Sequence, residues 1–327
     1  MTTPRLVIPG GSGFLGRAVA KYMSDRGWDV IVLSRDANAV VEGARTVAWD
    51  GYSVGEWCSA IDGADAVLNL AGRHVNCRYH ARNRWEIEES RVATTRIIGE
   101  AIARGVRSPK VWLNSSTATI YRHAEDHSQD EFRGEIGSGF SVNVAIAWEK
   151  TFFEAPTPPS VRKVALRSAM VMGRGHGGPF SVFHTLVRLR LGGRMGPGTQ
   201  YVSWIHIEDV CRAVEFLLGR EDLSGCFNVA APQALPNAQF MQQLRSASGI
   251  SVGLPALTWM LSVGAFVIRT ETELPLKSRW VVPTRLLKEG FQFRYPTWSV
   301  AAAELVLPEP TMSPECLSQS SRSSVRC

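Results

Sequence analysis

Cysteine is scarce and unpatterned: six residues, at 58, 77, 211, 226, 316 and 327, with no C-x-x-C pair. Such spacing offers neither a zinc site nor a disulfide framework, so reduced thiols in a cytoplasmic compartment are expected. Long hydrophobic runs are also missing. The most apolar stretch, Leu257 to Ile268, is too short to span a bilayer and contains Ser262 and Gly264; a buried helix is expected there. The chain enters an apolar run within its first residues, so no signal peptide is expected. Lysine and arginine exceed acidic residues only modestly, 36 to 30, and are scattered apart from Arg78, Arg82 and Arg84. Without a nucleic-acid motif, neither nucleic acid nor a membrane is an expected partner. A weakly positive field instead suits an anionic small molecule. No internal repeat is visible.

What remains is ordinary globular composition: 327 residues, 45% hydrophobic and 20% charged, enough for one large domain or two modest ones. The informative feature lies at the start. The apolar run Leu6-Val7-Ile8 leads into glycines at 10, 13 and 16, followed by the amphipathic segment Arg17 to Arg26 and a second apolar run, Val30 to Leu33. This is strand, glycine turn, helix, strand, in the spacing of a dinucleotide-binding βαβ unit. Gly10 permits the tight turn, Gly13 lets the backbone approach a pyrophosphate, and Gly16 lets the helix pack closely. Gly10, Ser12, Gly13, Phe14, Leu15 and Gly16 are therefore the candidate phosphate-binding set, with the free amides of the helix start facing the ligand. The second run ends Leu33-Ser34-Arg35. A hydroxyl and a guanidinium suit a 2′-phosphate and predict NADP(H). Asp36 follows and leaves NAD open as the lesser alternative.

Further strands are expected at Thr46–Trp49, Ala66–Leu70, Val111–Asn114 and Val164–Arg167. Helices are expected at Val54–Ala60, Trp85–Arg104, Val142–Glu154, Phe180–Leu191 and Val210–Leu218. The alternation predicts an α/β fold, a doubly wound parallel sheet of Rossmann type covered on both faces. Residues 1–170 would form the nucleotide-binding domain. Residues 171–307 would form a smaller, partly helical substrate lobe, whose elements can interleave with the first. Gly173 to Pro179 reads as a mobile loop, and 308–327 as a disordered tail.

The motifs Gly10-Gly-Ser-Gly-Phe-Leu-Gly16, Asn69-Leu-Ala-Gly72, Ser90-Arg91, Leu166-Arg167, Gly192-Gly193, Trp204 to Asp209 and Pro283 to Pro296 together span nearly the whole chain. In them the sequence resembles the extended short-chain dehydrogenase/reductase superfamily, and within it the NAD-dependent epimerase/dehydratase-like branch that carries a small C-terminal domain, here at about 250–300. The resemblance implies an NADP-binding sheet and a small-molecule substrate held over the strand ends. By that resemblance, Ser34 and Arg35 hold the adenosine phosphate, and Leu70, Ala71 and Gly72 line the cofactor. Glu86 and Arg91 reach it from the next helix, and Val171 packs near the nicotinamide. Leu70, Ala71 and Val171 read equally well as plain core.

Enzymes of that superfamily use a Ser or Thr with a Tyr-x-x-x-Lys pair, the lysine lowering the tyrosine pKa. Asn114 to Tyr121 resembles their strand-end hydroxyl run, with Thr117 at the catalytic position. The following helix, however, reads Ser141 where the tyrosine belongs and Ala145 where the lysine belongs. Tyr121 is the candidate substitute, although an aromatic packed over its own loop fits it as well. His176 and His206 are further titratable candidates, and Asp209 is expected to cap the helix that follows it. No metal site is expected. Two functions stay open: an NADP-dependent oxidoreductase or epimerase, and a non-catalytic NADP(H)-binding sensor.

Overall fold

The computed structural model describes residues 3–175, 177–256 and 277–308. The expected helix at Leu257–Ile268, His176, and the tail beyond Pro308 lie outside the described residues.

Seven strands form one parallel sheet. They are β1 (Arg5–Pro9), β2 (Asp29–Ser34), β3 (Arg45–Ala48), β4 (Ala66–Asn69), β5 (Val111–Thr117), β6 (Arg162–Ser168) and, after two short pairs described below, β10 (Gly225–Val229). Their spatial order is β10-β6-β5-β4-β1-β2-β3. The order reverses beside β1, between β1 and β4, which opens a crevice at the carboxyl ends of the strands. Helix α1 (Phe14–Ser24) packs on one face. The helices α2 (Cys58–Ile61), α3 (Ala81–Arg104) and α4 (Phe140–Glu154) follow β3, β4 and β5.

Alternation along each strand decides the two faces. Leu6, Ile8, Val30, Val32, Leu113 and Val164 point to one core, whereas Val7, Ile31, Leu33, Trp112 and Ala165 point to the other. Both sets are buried, which explains why the strands read as continuous apolar runs rather than alternating ones. Trp112 meets the Phe152 ring of α4 edge-on at 4.7 Å.

The expected helix over Val54–Ala60 shrinks to the single turn of α2. Asp50 accepts hydrogen bonds from the Tyr52 and Ser53 amides, and the Trp57 indole donates to the Ser53 carbonyl. These contacts hold 50–57 as turns.

Beyond β6, the chain builds β7 (Met170–Met172), α5 (Pro179–Arg188), β8 (Tyr201–Val202), β9 (Trp204–His206) and α6 (Ile207–Gly219), and then returns to the main sheet at β10. Next come β11 (Leu235–Pro236), α7 (Asn237–Ala247), α8 (Thr284–Lys288) and α9 (Trp298–Val306). β7 pairs with β9 and β8 with β11. A separate core of Phe180, Trp204, Phe240, Trp298 and Leu305 holds this part together. Among the described residues, no helix is long and apolar enough to cross a membrane.

Candidate functional site

β1 delivers the glycine turn to the crevice. Gly10 adopts φ +77°, and a Cβ there would lie 2.7 Å from the Ala71 nitrogen and Cα. The turn is therefore pressed against the end of β4. A Cβ on Gly16 would lie 2.4 Å from the Gly11 Cα, so the close approach of α1 is to the turn itself. Gly13 differs: its Cβ would meet nothing nearer than the Gly10 carbonyl oxygen at 3.5 Å, and it faces open space. Gly13 is also the N-cap of α1, no side chain caps the helix, and the first helical bond runs from the Arg17 amide to the Gly13 carbonyl at 2.9 Å. The amides of Phe14, Leu15 and Gly16 are thus left as donors at the positive end of the helix, a geometry suited to an anion.

β2 ends beside this turn. The Ser34 hydroxyl donates to the Ser12 hydroxyl at 3.0 Å and accepts from the Asp36 amide at 3.2 Å. The Asp36 carboxylate turns forward to accept from the Asn38 amide at 3.0 Å. Arg35 is exposed and, among the described residues, has no ion-pair partner. Arg17 braces the same rim, donating to the Ser12 carbonyl at 2.8 Å and the Val40 carbonyl at 2.5 Å. The sequence reading had not singled out Arg17.

At the end of β4 a buried amide fixes the backbone. Asn69 donates to the Asn114 side-chain oxygen at 2.7 Å and to Thr95 at 3.2 Å, and accepts from the Ala71 amide at 3.0 Å. The Trp148 indole completes the set by donating to Thr95 at 2.9 Å. Every member of this network has a partner, so Leu70, Ala71 and Gly72 are held in one conformation. Arg91 runs beneath Gly72, 3.4 Å from where its Cβ would be. It donates to the Ile87 carbonyl at 2.8 Å and lies 5.1 Å from the Trp148 ring, with no carboxylate partner among the described residues. Burial pushes its guanidinium down to about 10, the direction expected of a partly buried cation with no counter-ion beside it. Glu86 is engaged elsewhere, in ion pairs with Arg73 and Arg82.

β5 carries the hydroxyl run. Thr117 accepts from the Thr119 amide at 3.1 Å and donates to its hydroxyl at 2.9 Å, capping the short turn Ala118–Ile120. Tyr121 is 1% exposed. Its hydroxyl donates to Asn228 at 3.0 Å and accepts from Arg167 at 2.9 Å. The structure therefore places Tyr121 in the core instead of at the open strand ends. Burial raises its pKa despite the nearby Arg167, the wrong direction for a proton donor poised near neutrality. Ala145 of α4 is fully buried with Ala118, Ile120, Tyr121 and Val281. Its surroundings there are apolar.

Arg167 also meets the Glu149 carboxylate with two bonds of 2.8 Å, and Ser116 donates to Glu149 at 2.6 Å. Burial opposes the Arg167 charge, yet the Glu149 carboxylate outweighs it and raises the guanidinium pKa. Leu166-Arg167 is thus read as a brace between β6 and α4. A charged residue directly after the buried run Val164-Ala165-Leu166 was the available signal for it.

Val171 lies on β7, paired with Ile205 of β9, and packs against the first core. The glycine-rich segment after it sits over α1: a Cβ on Gly173 or Gly178 would come within 3.0 or 2.7 Å of the Phe14 ring. His206 is buried and caps α6, its Nδ1 accepting from the Glu208 amide at 3.2 Å. That corrects the expectation that Asp209 is the cap. Asp209 is wholly buried and accepts from the Arg294 and Tyr295 amides at 2.8 and 2.9 Å, because a C-terminal segment absent from local sequence competes for it. Burial lowers the His206 pKa against the pull of Glu304.

The crevice therefore gathers Gly10 to Gly16, Ser34, Arg35, Leu70 to Gly72 and Arg91 along one edge. Residues 6–230 match the NAD dependent epimerase/dehydratase family, and residues 258–305 match a domain of unknown function, DUF1731. The human epimerase family protein SDR39U1 is 30% identical over 311 residues, covering 92% of this chain and 99% of that protein. An epimerase family protein of Mycobacterium leprae is 30% identical over 294 residues, covering 89% and 92%. The crystal structure of human SDR39U1 with NADPH superposes with a TM-score of 0.82, covering 92% of this chain and 99% of that one. A UDP-N-acetylglucosamine 4-epimerase from Bacillus cereus, 17% identical with a TM-score of 0.72 over 93% of this chain and 95% of its own, shares the fold. The chain belongs to the NAD dependent epimerase/dehydratase family.

Proposed function

We propose that this protein binds NADP(H) across the carboxyl ends of β1, β2 and β4. The observation that carries the reading is the open cradle at Gly13, with the uncapped α1 amides aimed into it. The pyrophosphate takes those amides, and Gly13 leaves the room. Arg35 and the Ser34 hydroxyl take the 2′-phosphate. The turning of Asp36 toward Asn38 supports this, since the carboxylate is drawn off by its own loop. Leu70 to Gly72 line the cofactor, and Arg91, lacking an anion of its own, faces it. Glu86 is proposed at the rim through Arg73 and Arg82, and Val171 at the nicotinamide end. The NADPH bound by the human relative supports the same choice of dinucleotide.

Bound NADP(H) would supply redox chemistry at its nicotinamide ring. The chain's own contribution to turnover is limited to Thr117, since Ser141 and Ala145 stand where the family pattern has Tyr and Lys. Burial of Ala145 favours a second reading, a non-catalytic protein that reports the NADPH/NADP ratio to a partner. Under the first reading, the small-molecule substrate lies between Thr117 and the elements after β6.

Titration with NADPH and NADH, followed by tryptophan fluorescence, tests the binding. Tight NADPH and weak NADH binding is expected, and binding of neither overturns the reading. Thr117→Ala then separates the two functions: an enzyme loses turnover while keeping NADPH affinity, and a sensor has no turnover to lose.

A further inference from the structure

Arg174 leaves the segment between β7 and α5 and reaches the far end of the chain. Its guanidinium pairs with the Glu304 carboxylate at 2.7 Å and also donates to the Glu304 and Leu305 carbonyls. The other carboxylate oxygen of Glu304 lies 3.0 Å from His206 Nε2. Because His206 Nδ1 accepts from the Glu208 amide, the ring proton sits on Nε2 and is donated to Glu304. One carboxylate on α9 thus joins the loop after β7 to the cap of α6.

The helix bearing it is a fixed post. Trp298 stacks on Phe240 at 4.2 Å, donates its indole N–H to the Phe240 carbonyl at 2.9 Å and meets Trp204 edge-on at 5.0 Å. The loop it holds ends against the dinucleotide crevice. Gly173 and Gly178 close on the ring of Phe14, whose amide is one of the donors at the start of α1.

We propose that Glu304 is a positioning residue for the dinucleotide site: from the C-terminal helix it holds Arg174, and through Arg174 the flanking Gly173 and Gly178 against Phe14. This rests on the NADP(H) reading above. It gives the segment matched as a domain of unknown function a task, that of setting the loop over the phosphate and nicotinamide end of the crevice. Glu304 touches no reacting atom and acts only through the loop.

The test uses two probes on the full chain. NADPH spans the whole crevice, whereas adenosine 2′-monophosphate, which has no 5′-phosphate, reaches only its adenosine end, at Ser34 and Arg35. In Glu304→Gln, one of the two donors facing the carboxylate meets an amide N–H instead. Losing that charge-assisted bond is expected to weaken NADPH about tenfold while changing adenosine 2′-monophosphate by less than about twofold. Arg174→Gln, in a loop, is expected to do the same, and serves if the first variant fails to fold. The double variant is expected to be no weaker than either single one, because both remove the same link. Equal NADPH affinity in wild type and variants overturns the inference. So does a parallel loss for both probes, which is what general destabilisation produces. Wild-type protein that binds neither probe overturns the NADP(H) reading itself, and the inference falls with it.

Discussion

Gly16 stands so close to Gly11 that a Cβ on it would lie 2.4 Å from the Gly11 Cα. A Cβ on Gly13, three residues earlier, would have no neighbour inside 3.5 Å. The two glycines therefore answer to different demands: one to the fold, the other to a ligand.

Substitution by alanine separates them. Gly16→Ala is expected to cost about 1–3 kcal/mol through forced movement of the turn. Gly13→Ala is expected to change stability by less than about 1 kcal/mol, a helix-cap effect, while abolishing measurable NADPH binding. Thermal denaturation and a fluorescence titration of each variant check this. Unaltered NADPH affinity in Gly13→Ala places the phosphates elsewhere.

Arg35 sets the choice between dinucleotides under the proposed reading. Arg35→Ala is expected to weaken NADPH about tenfold, the worth of a lost charge-assisted contact, and to leave NADH unchanged. Calorimetric titration with both compounds measures the ratio. A parallel fall for the two dinucleotides removes Arg35 from the 2′-phosphate.

Glu149 and Arg167 form a buried two-point ion pair whose members also bond Ser116 and Tyr121. Glu149→Ala strands a guanidinium in the interior, and a loss of about 3–5 kcal/mol is expected in urea unfolding. Pairing it with Arg167→Met is expected to recover part of that loss, since no charge then remains buried. A double variant worse than Glu149→Ala argues against the pair as a structural brace.

His206 predicts the acid limb of stability. Its folded pKa lies below the ordinary 6.5, chiefly through burial, with Glu304, Asp209 and Glu208 pulling the other way and the Tyr295 ring tilted against it at 3.9 Å. The unfolded chain then binds the proton more readily than the folded one. The stability is fully present above about 6.5 and declines as pH falls from there toward the folded value, below which this group costs nothing further. His206→Asn, which keeps a capping side chain, is expected to flatten this decline below about pH 6.5. An unchanged profile assigns the acid sensitivity to another group.

Much of this was legible in the sequence because it was local. β1, the glycine turn, α1 and β2 are consecutive, and their apolar spacing and glycine positions are set by steric rules that act over a few residues. The parallel sheet followed from the alternation of elements. The strand of residues 225–229, at the edge of the main sheet, was not legible: Gly-Cys-Phe-Asn-Val is short, half polar, and acquires its partner only when β6 lies beside it. The surroundings of Tyr121 were not legible for the same reason. Its place near Thr117 in sequence says nothing of Asn228 and Arg167, which close over its hydroxyl from distant strands.

The sequence by itself determined that a dinucleotide-type turn lies near the start of the chain and that Ser34 and Arg35 stand at the end of the second strand. Each is a statement about residue type at a fixed spacing. Only the tertiary structure decided that Asp209 anchors Arg294 and Tyr295 instead of capping a helix. It alone decided that Ala145 is sealed in the core, and that Glu304 meets Arg174 across 130 residues. Those outcomes depend on which groups compete for one buried donor or acceptor, and that competition is settled by packing between segments remote in the chain.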